Sequence, residues 1–422
     1  MYILYDFIFL IIALIYLPVY LFKGKLHGGL KARLGFFPRP LYGGNPIWIH
    51  AVSVGEAMMM KSFIEEFRRI FPHKNFVITT VTPTGNTIAR TLANKEDCVT
   101  YLPFDISFIT NRFIRIIKPS MCIIAETELW PNLLRSLHKH AIPVAVVNGR
   151  LSDHSLKGYC RFRLLVKPIL NTVGLFCVQS QTDKNRLVQI GVDQRRIAVT
   201  GNMKFDAAFK SPESTGLRKR LTLSESDLFF VCASTHQGEE EILVRVFKDL
   251  VMQFPAIRFC IAPRHPERAF EIEKLLLKEG FAPVRISRLG NAPVSSSQGA
   301  VYILDMIGVL MNYYAIADLV FVGGSLVKKG GHNIVEPASL AKPVMTGPYL
   351  YNFRDIADLF IRTGACVVVS NQDIAQVARD LLRDIRRRQA LGEAGKQVVR
   401  SNQGATKRTV TLVQDLARQY GI

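Results

Sequence analysis

The chain has 422 residues, 49% of them hydrophobic, with 54 Lys and Arg against 34 Asp and Glu, a formal charge of +20. That length exceeds what one core usually serves, so two domains are expected, and the excess of positive charge points to an anionic partner: a membrane, a nucleic acid or an acidic substrate. The seven cysteines (98, 122, 160, 177, 232, 260 and 366) are scattered and odd in number; their spacing excludes a cysteine metal site and predicts reduced, buried thiols.

The first 22 residues, MYILYDFIFLIIALIYLPVYLF, carry one charged side chain, Asp6. About 20 apolar residues cross a bilayer as a helix. Lys23, Lys25, Lys31, Arg33 and Arg39 follow in a stretch without acids, which by the positive-inside rule leaves the remaining chain cytoplasmic. No basic residues precede the apolar run and no small-residue cleavage site ends it, which argues against a cleaved signal peptide. A buried core helix is the alternative; a single membrane anchor over 1–22 is the expectation.

Strand-like runs alternate with helical patterns from there on. IWIHAVSVGE opens the series as a strand over Ile47–Val54, with Gly55 permitting a turn and Glu56 leading into a helix. Further strands are predicted at Asn75–Val81, Cys98–Phe104, Met121–Glu126, Ile142–Asn148, Thr172–Ser180 and Ile197–Thr200. A second series is predicted at Asp227–Ser234, Ile257–Ala262, Pro283–Ile286, Ala300–Asp305, Asp318–Gly323, Pro343–Thr346 and Ala365–Ser370. Short Val/Ile-rich runs of this kind describe parallel sheets covered on both faces. The polar stretch Lys210–Arg220 is the natural linker. The expected fold is therefore α/β: two doubly wound Rossmann-like domains, 23–209 and 210–422, facing each other across a cleft, with ligands at the carboxyl ends of their strands.

Polar residues gather at those ends. Glu56 follows the first strand, where an acid also suits the positive end of a helix. Glu126 and Glu128 follow another strand in ETELWPN, and VTGNMKFD places Lys204 past a third, although Lys204 in isolation reads first as an ordinary surface lysine. In the second half, FVGGSLVKKGGHNIVEP is glycine-rich on both sides of a basic pair, and Asn333 is a good cap for a following helix. Backbone N–H groups in such loops and at helix starts suit phosphate. The stretch is neither a Walker motif nor G-x-G-x-x-G. Glu336 could accept from ribose hydroxyls, and Arg264 in PRHPER is a fork-shaped donor suited to phosphate. Together these pieces predict a nucleotide site in the C-terminal half.

HAVSVGE, TPTGN, ETELWPN, VTGNMKFD, STHQGEE, PRHPER, FVGGSLVKKGGHNIVEP and NQGA occur in an order that resembles the bacterial 3-deoxy-D-manno-octulosonic acid (Kdo) transferases. The resemblance runs from the anchor to the last helix. It implies a GT-B glycosyltransferase of lipopolysaccharide synthesis, anchored in the inner membrane, that moves Kdo from CMP-Kdo onto lipid A precursor (lipid IVA), inverting at the anomeric carbon and using neither cofactor nor metal. It implies Glu56 as general base and Glu126 with Lys204 as the pair that stabilises the transition state. It also implies CMP contacts from Pro263 and Arg264, from Ile307, Gly308 and Val309, and from Asn333, Ile334, Val335 and Glu336. Many relatives carry an acid where this chain has Val309, which leaves backbone contacts at that position.

The chemistry agrees with these residue types. A carboxylate at a rigid strand end can take the acceptor's proton, cations and helix dipoles can steady a departing phosphate, and a second carboxylate can stabilise an oxocarbenium-like state. Basic residues beside the anchor suit a phosphorylated lipid and membrane lipids. A GT-B enzyme using another nucleotide sugar is the nearest alternative. A nucleic-acid partner is not expected, because no basic cluster with interleaved aromatics occurs.

Overall fold

Runs of Val, Ile and Phe too short to span a core as helices become strands, and among the described residues they do so fourteen times. The computed structural model describes residues 5–7, 9–11, 29–36, 45–206, 213–289 and 300–422. The chain divides into two units, one of Met1–Ala207 with Gln403–Ile422 and one of Ala208–Asn402.

The first unit contains β1 (Ile47–His50), β2 (Phe76–Thr80), β3 (Cys98–Tyr101), β4 (Met121–Ala125), β5 (Val144–Gly149), β6 (Leu175–Val178) and β7 (Ile197–Val199). They form one parallel sheet in the order β3-β2-β1-β4-β5-β6-β7. Alternate residues enter opposite cores. Ile47, Ile49, Ile78, Ile123 and Val147 pack on one face with Phe63 and Phe67 of the Val54–Ile70 helix. Trp48, Val77, Cys122, Ile124 and Val146 pack on the other with Phe113 and Leu134. Both faces are dry, which is why the strands read as continuous apolar runs rather than as alternation.

The second unit contains β8 (Leu228–Thr235), β9 (Ile257–Pro263), β10 (Ala282–Arg285), β11 (Ala300–Ile303), β12 (Leu319–Val322), β13 (Val344–Thr346) and β14 (Val367–Val368). Its parallel sheet runs β10-β11-β9-β8-β12-β13-β14. Every strand expected from the sequence is present, most with ends shifted by a few residues; the first, expected over Ile47–Val54, stops at His50, and Val54 opens the following helix. The seven cysteines are all free, five of them buried.

The expected boundary of the second domain is corrected at its far end. Residues 403–422 belong to the first unit, not to the second. The Ala405–Gln419 helix buries Ala405, Val410, Val413 and Ala417 in the core that lines the first sheet. Its start is tied down locally: the Asp206 carboxylate accepts the Gly404 and Thr406 N–H groups at 2.8 and 2.6 Å, and Arg408 Nε donates to the Thr200 carbonyl at 2.9 Å.

The anchor expected over 1–22 falls mostly outside the described residues; 5–7 and 9–11 are helical. Among the described residues no helix is long and apolar enough to cross a membrane. Asp6, the charge in that apolar run, has a structural partner. Its carboxylate accepts the Ser107 N–H at 3.1 Å and Asn132 Nδ2 at 2.6 Å. Asn132 in turn stands at the start of the Pro131–Lys139 helix, whose Asn132 and Leu133 N–H groups donate to Asp105.

Asp206→Ala removes a charged acceptor from two N–H groups at a helix start and should cost roughly 1–3 kcal/mol. The urea midpoint should fall with the slope unchanged. An unmoved midpoint would show that the helix holds by apolar packing alone.

Candidate active site

The strand order reverses between β1 and β4 in the first unit and between β8 and β12 in the second, where β11 is also inserted between β9 and β10. At such a reversal the connections leave in opposite directions and open a crevice beyond the carboxyl ends of the strands. Glu56 and Glu126 lie at the first of these places, and His236 and the glycine loop at the second.

In the first unit, β1 ends at His50 and a short loop leads to Ser53, which caps the Val54–Ile70 helix. Glu56 therefore lies in the first turn of that helix. Gly55 is helical there and does not make the turn, contrary to expectation; a Cβ on it would meet only Ser53 Oγ, at 4.0 Å. The Glu56 carboxylate accepts the Val52 N–H at 2.7 Å and Ser53 Oγ–H at 2.9 Å, and its own N–H donates to Ser53 Oγ at 3.4 Å. This is a capping-box arrangement, so the acid does serve the helix end. Burial nevertheless raises its pKa to about 7, helped by the negative charges of Glu126 and Glu128 and opposed by the Val52 and Ser53 hydrogen bonds. Glu56 is thus poised to exchange a proton near neutrality.

Glu126 follows β4 directly and adopts φ 56°, a left-handed conformation uncommon for a residue with a side chain. Its Oε1 accepts from Lys204 Nζ at 3.0 Å and its Oε2 from Arg150 Nε at 3.3 Å. The structure thereby joins Glu126 and Lys204, which the sequence separates by 78 positions. Glu128 lies close enough to Glu126 for that charge, after burial, to raise its carboxyl above the ordinary range.

A relay of amides positions Lys204. Asn148, at the end of β5 with φ 54°, accepts the Met203 N–H through Oδ1 at 2.9 Å. Gln179 donates to the Asn148 carbonyl at 3.0 Å, Asn202 donates to Gln179 at 2.9 Å, and the Lys204 N–H donates to Asn202 Oδ1 at 3.0 Å. Arg150, Asn148 and Gln179 were not singled out by sequence reasoning. The ends of β5 and β6, where GR and QS follow apolar runs, were the available signal.

In the second unit the glycine loop behaves differently from the phosphate loop predicted. Glu239, fully buried, takes its donors: its carboxylate accepts the N–H groups of Gly324, Ser325 and Leu326 at 2.7, 3.0 and 2.9 Å, and that of His236 at 2.9 Å. A resident carboxylate fills the place expected for a ligand anion. Asn333 likewise precedes the cap position rather than occupying it. The helix spans Val335–Ser339 with Ile334 at the cap, the Asn333 Oδ1 accepts the Val335 N–H at 3.1 Å, and its Nδ2 donates to Glu336 at 3.1 Å.

Arg264 is exposed just beyond Pro263, the last residue of β9, and its N–H donates to the Thr235 carbonyl at 3.0 Å. Burial raises the Glu336 carboxyl, opposed by Asn333 and by the charge of Arg264, so Arg264, Asn333 and Glu336 share one neighbourhood. Ile307, Gly308 and Val309 follow β11, the strand beside β9. No hydrogen bond joins them to Arg264, Asn333 or Glu336 among the described residues. Their link is indirect, through the Leu310–Ile316 helix, which packs on the Val335–Ser339 helix and whose buried Tyr314 lies near the Glu336 carboxylate. His236 and His332 also meet here, with Nε2 atoms 2.8 Å apart; STHQGEE and GGHN were the visible signal for them.

Because the fold raises the Glu56 pKa, it favours the neutral acid. The stability this contributes is complete below the ordinary glutamate value, near 4.5, and is lost as the pH rises through about 7. Carboxyl-carbon NMR should show Glu56 half-ionised near pH 7, and Glu56→Gln should flatten the decline in stability between those limits. A Glu56 midpoint near 4.5 would overturn this.

The family model for 3-deoxy-D-manno-octulosonic-acid transferase (kdotransferase) matches residues 28–207, which carry Glu56, Glu126 and Lys204. The 3-deoxy-D-manno-octulosonic acid transferase of Haemophilus influenzae is 34% identical over 393 residues, covering 91% of this chain and 90% of that protein. That of Chlamydia trachomatis serovar A is 30% identical over 395 residues, covering 92% and 90%. Among solved structures, the S. aureus MnaA–UDP co-structure aligns with a TM-score of 0.60 at 14% identity, over 89% of this chain and 97% of that one, a likeness of fold alone. With a relative of that identity matched over nearly its whole length, the two parallel-sheet units are of the GT-B type, and the chain belongs to the Kdo transferase family and is a glycosyltransferase.

Proposed function

We propose that the chain transfers Kdo from CMP-Kdo to a hydroxyl of lipid A precursor (lipid IVA), with inversion at the anomeric carbon, at the cytoplasmic face of the bacterial inner membrane, tethered by residues 1–22. The observation that carries this reading is the contrast between two neighbouring carboxylates. Glu56 holds a proton with a pKa of about 7, whereas both oxygens of Glu126 are occupied by cations. One carboxylate is available to accept a proton and the other is not available as a nucleophile. That supports a single displacement over a double one, which needs a second, free carboxylate.

In the proposed reaction Glu56 takes the proton of the acceptor hydroxyl as its oxygen bonds to the anomeric carbon. The bond from that carbon to the phosphate oxygen breaks, and CMP departs with the electron pair. The Glu126–Lys204 pair offers a negative face to the oxocarbenium-like carbon and a positive one to the departing phosphate. Pro263, Arg264, Ile307–Val309 and Asn333–Glu336 hold CMP, with Glu336 accepting from the ribose and Arg264 facing the phosphate. No metal is assigned a role, and membrane lipids and the acceptor's phosphates meet the basic residues that follow the apolar run.

Incubation of the full chain with CMP-Kdo and lipid IVA, followed by mass spectrometry, should add Kdo to the lipid. UDP- and GDP-sugars should yield no product. Glu56→Gln should lower turnover by roughly 10²- to 10⁴-fold while CMP still binds. In the wild type, kcat/KM should rise with pH and level off above about 7, since only ionised Glu56 accepts the proton. Full activity in a folded Glu56→Gln chain would return this acid to its capping role.

A further inference from the structure

His236 follows β8 and His332 lies in the glycine loop after β12, so the two rings bridge the point where the second sheet reverses its order. Their centroids are 5.1 Å apart, their planes differ by 9°, and their Nε2 atoms are 2.8 Å apart. Nearly parallel rings at that centroid distance can bring two nitrogens so close only by meeting head to head in one plane. One Nε2 must carry a hydrogen and the other must be bare. Gly324 makes room for this: a Cβ there would lie 2.8 Å from the His332 ring and 3.4 Å from that of His236.

The charges around the pair are mostly positive. His265 stands edge-on to His236 at 5.8 Å, with its Nδ1 3.5 Å from Glu267. Arg264, Arg268 and Lys329 face His236, and Arg264 and His265 face His332. Of the nearby acids, Glu240 is bound to Arg268 at 2.7 Å and Glu239 is spent on the backbone N–H groups of the loop. Burial and these cations hold the rings neutral, with pKa values lowered to about 4 for His236 and about 3 for His332. Glu239 takes the N–H groups of Gly324, Ser325 and Leu326, and the cationic side chains of Arg264 and Lys329 face the rings where an anion would enter.

We propose that the His236–His332 pair, with Arg264 and Lys329, is the phosphate end of the nucleotide site and takes up one proton from solvent when the phosphate binds. The inference rests on the CMP-site reading given above. An anion offsets the repulsion of the surrounding cations and sets an opposite charge beside the buried rings. The head-to-head contact then sets the stoichiometry at one: an imidazolium keeps its N–H···N bond to a neutral partner, whereas two imidazolium rings would set hydrogen against hydrogen. The imidazolium so formed neutralises charge that builds on the phosphate as the glycosidic bond breaks.

The test is an NMR titration of the full chain labelled with [13Cε1]histidine, with His236→Asn and His332→Gln variants to assign the resonances. Without ligand, both rings should remain neutral down to about pH 5. Saturating CMP should raise the midpoint of one ring by about three pH units, to near neutrality, the upper end of what an opposite charge nearby supplies, and cytidine should move neither. His332→Gln should weaken CMP several-fold and leave cytidine affinity unchanged. CMP binding with both midpoints unmoved, or equal movement with cytidine, overturns the inference and leaves the CMP site standing. Absence of any CMP binding to the wild-type chain overturns the CMP-site reading, and this inference with it.

Discussion

A parallel sheet can be wound outward in two directions only if its strand order reverses somewhere, and the functional geometry of this chain depends on that reversal. It falls between β1 and β4 in one unit and between β8 and β12 in the other. Glu56 and Glu126 leave the first pair of strands, His236 and the glycine loop the second. At these places the loops depart to opposite faces and leave backbone and side chains uncovered at the carboxyl edge. The buried apolar faces hold the strands in register to well under a side-chain length, and the loops inherit that rigidity.

Carboxylates at loop ends perform two distinct tasks here, and the number of donors around each separates them. Glu239 accepts four backbone N–H groups and Asp206 accepts two at a helix start. Such contacts fix the chain. Glu56 has one backbone donor and one hydroxyl, is half-buried, and faces two other acids. Its charged form is therefore under-compensated and its proton affinity rises. For Glu56 the cap aims the carboxyl, while burial and the charges of Glu126 and Glu128 raise its pKa.

Much of this was legible in the amino-acid order. All fourteen strands were, because strands buried on both faces must be apolar without interruption, and turns between them need Gly, Pro, Asn or Asp. Glu56, Glu126, Lys204, Arg264 and Glu336 were legible as polar residues placed just beyond such strands. What was not legible was pairing. Nothing local to GGSL says that its N–H groups are already satisfied, since the acceptor, Glu239, lies 85 to 87 positions earlier. The last helix was misassigned for the same reason. Its apolar stripe shows that it packs on something, but only Asp206 and Thr200, contacted across about 200 positions, show on what.

The sequence by itself determined the alternation of strand and helix, the presence of two α/β units, the acidic and basic groups at strand ends, and, through eight motifs in order, membership of the family. These follow from local rules, namely side-chain period, turn chemistry and short-range spacing, which act over a few residues. Tertiary structure alone decided which donors were spent and which were left. It joined Glu126 to Lys204 and Arg150, filled the glycine loop with Glu239, set His236 against His332, and raised the Glu56 pKa. Proton affinity and hydrogen-bond satisfaction depend on distance and on exclusion of water, and both are properties of the packed chain rather than of its order.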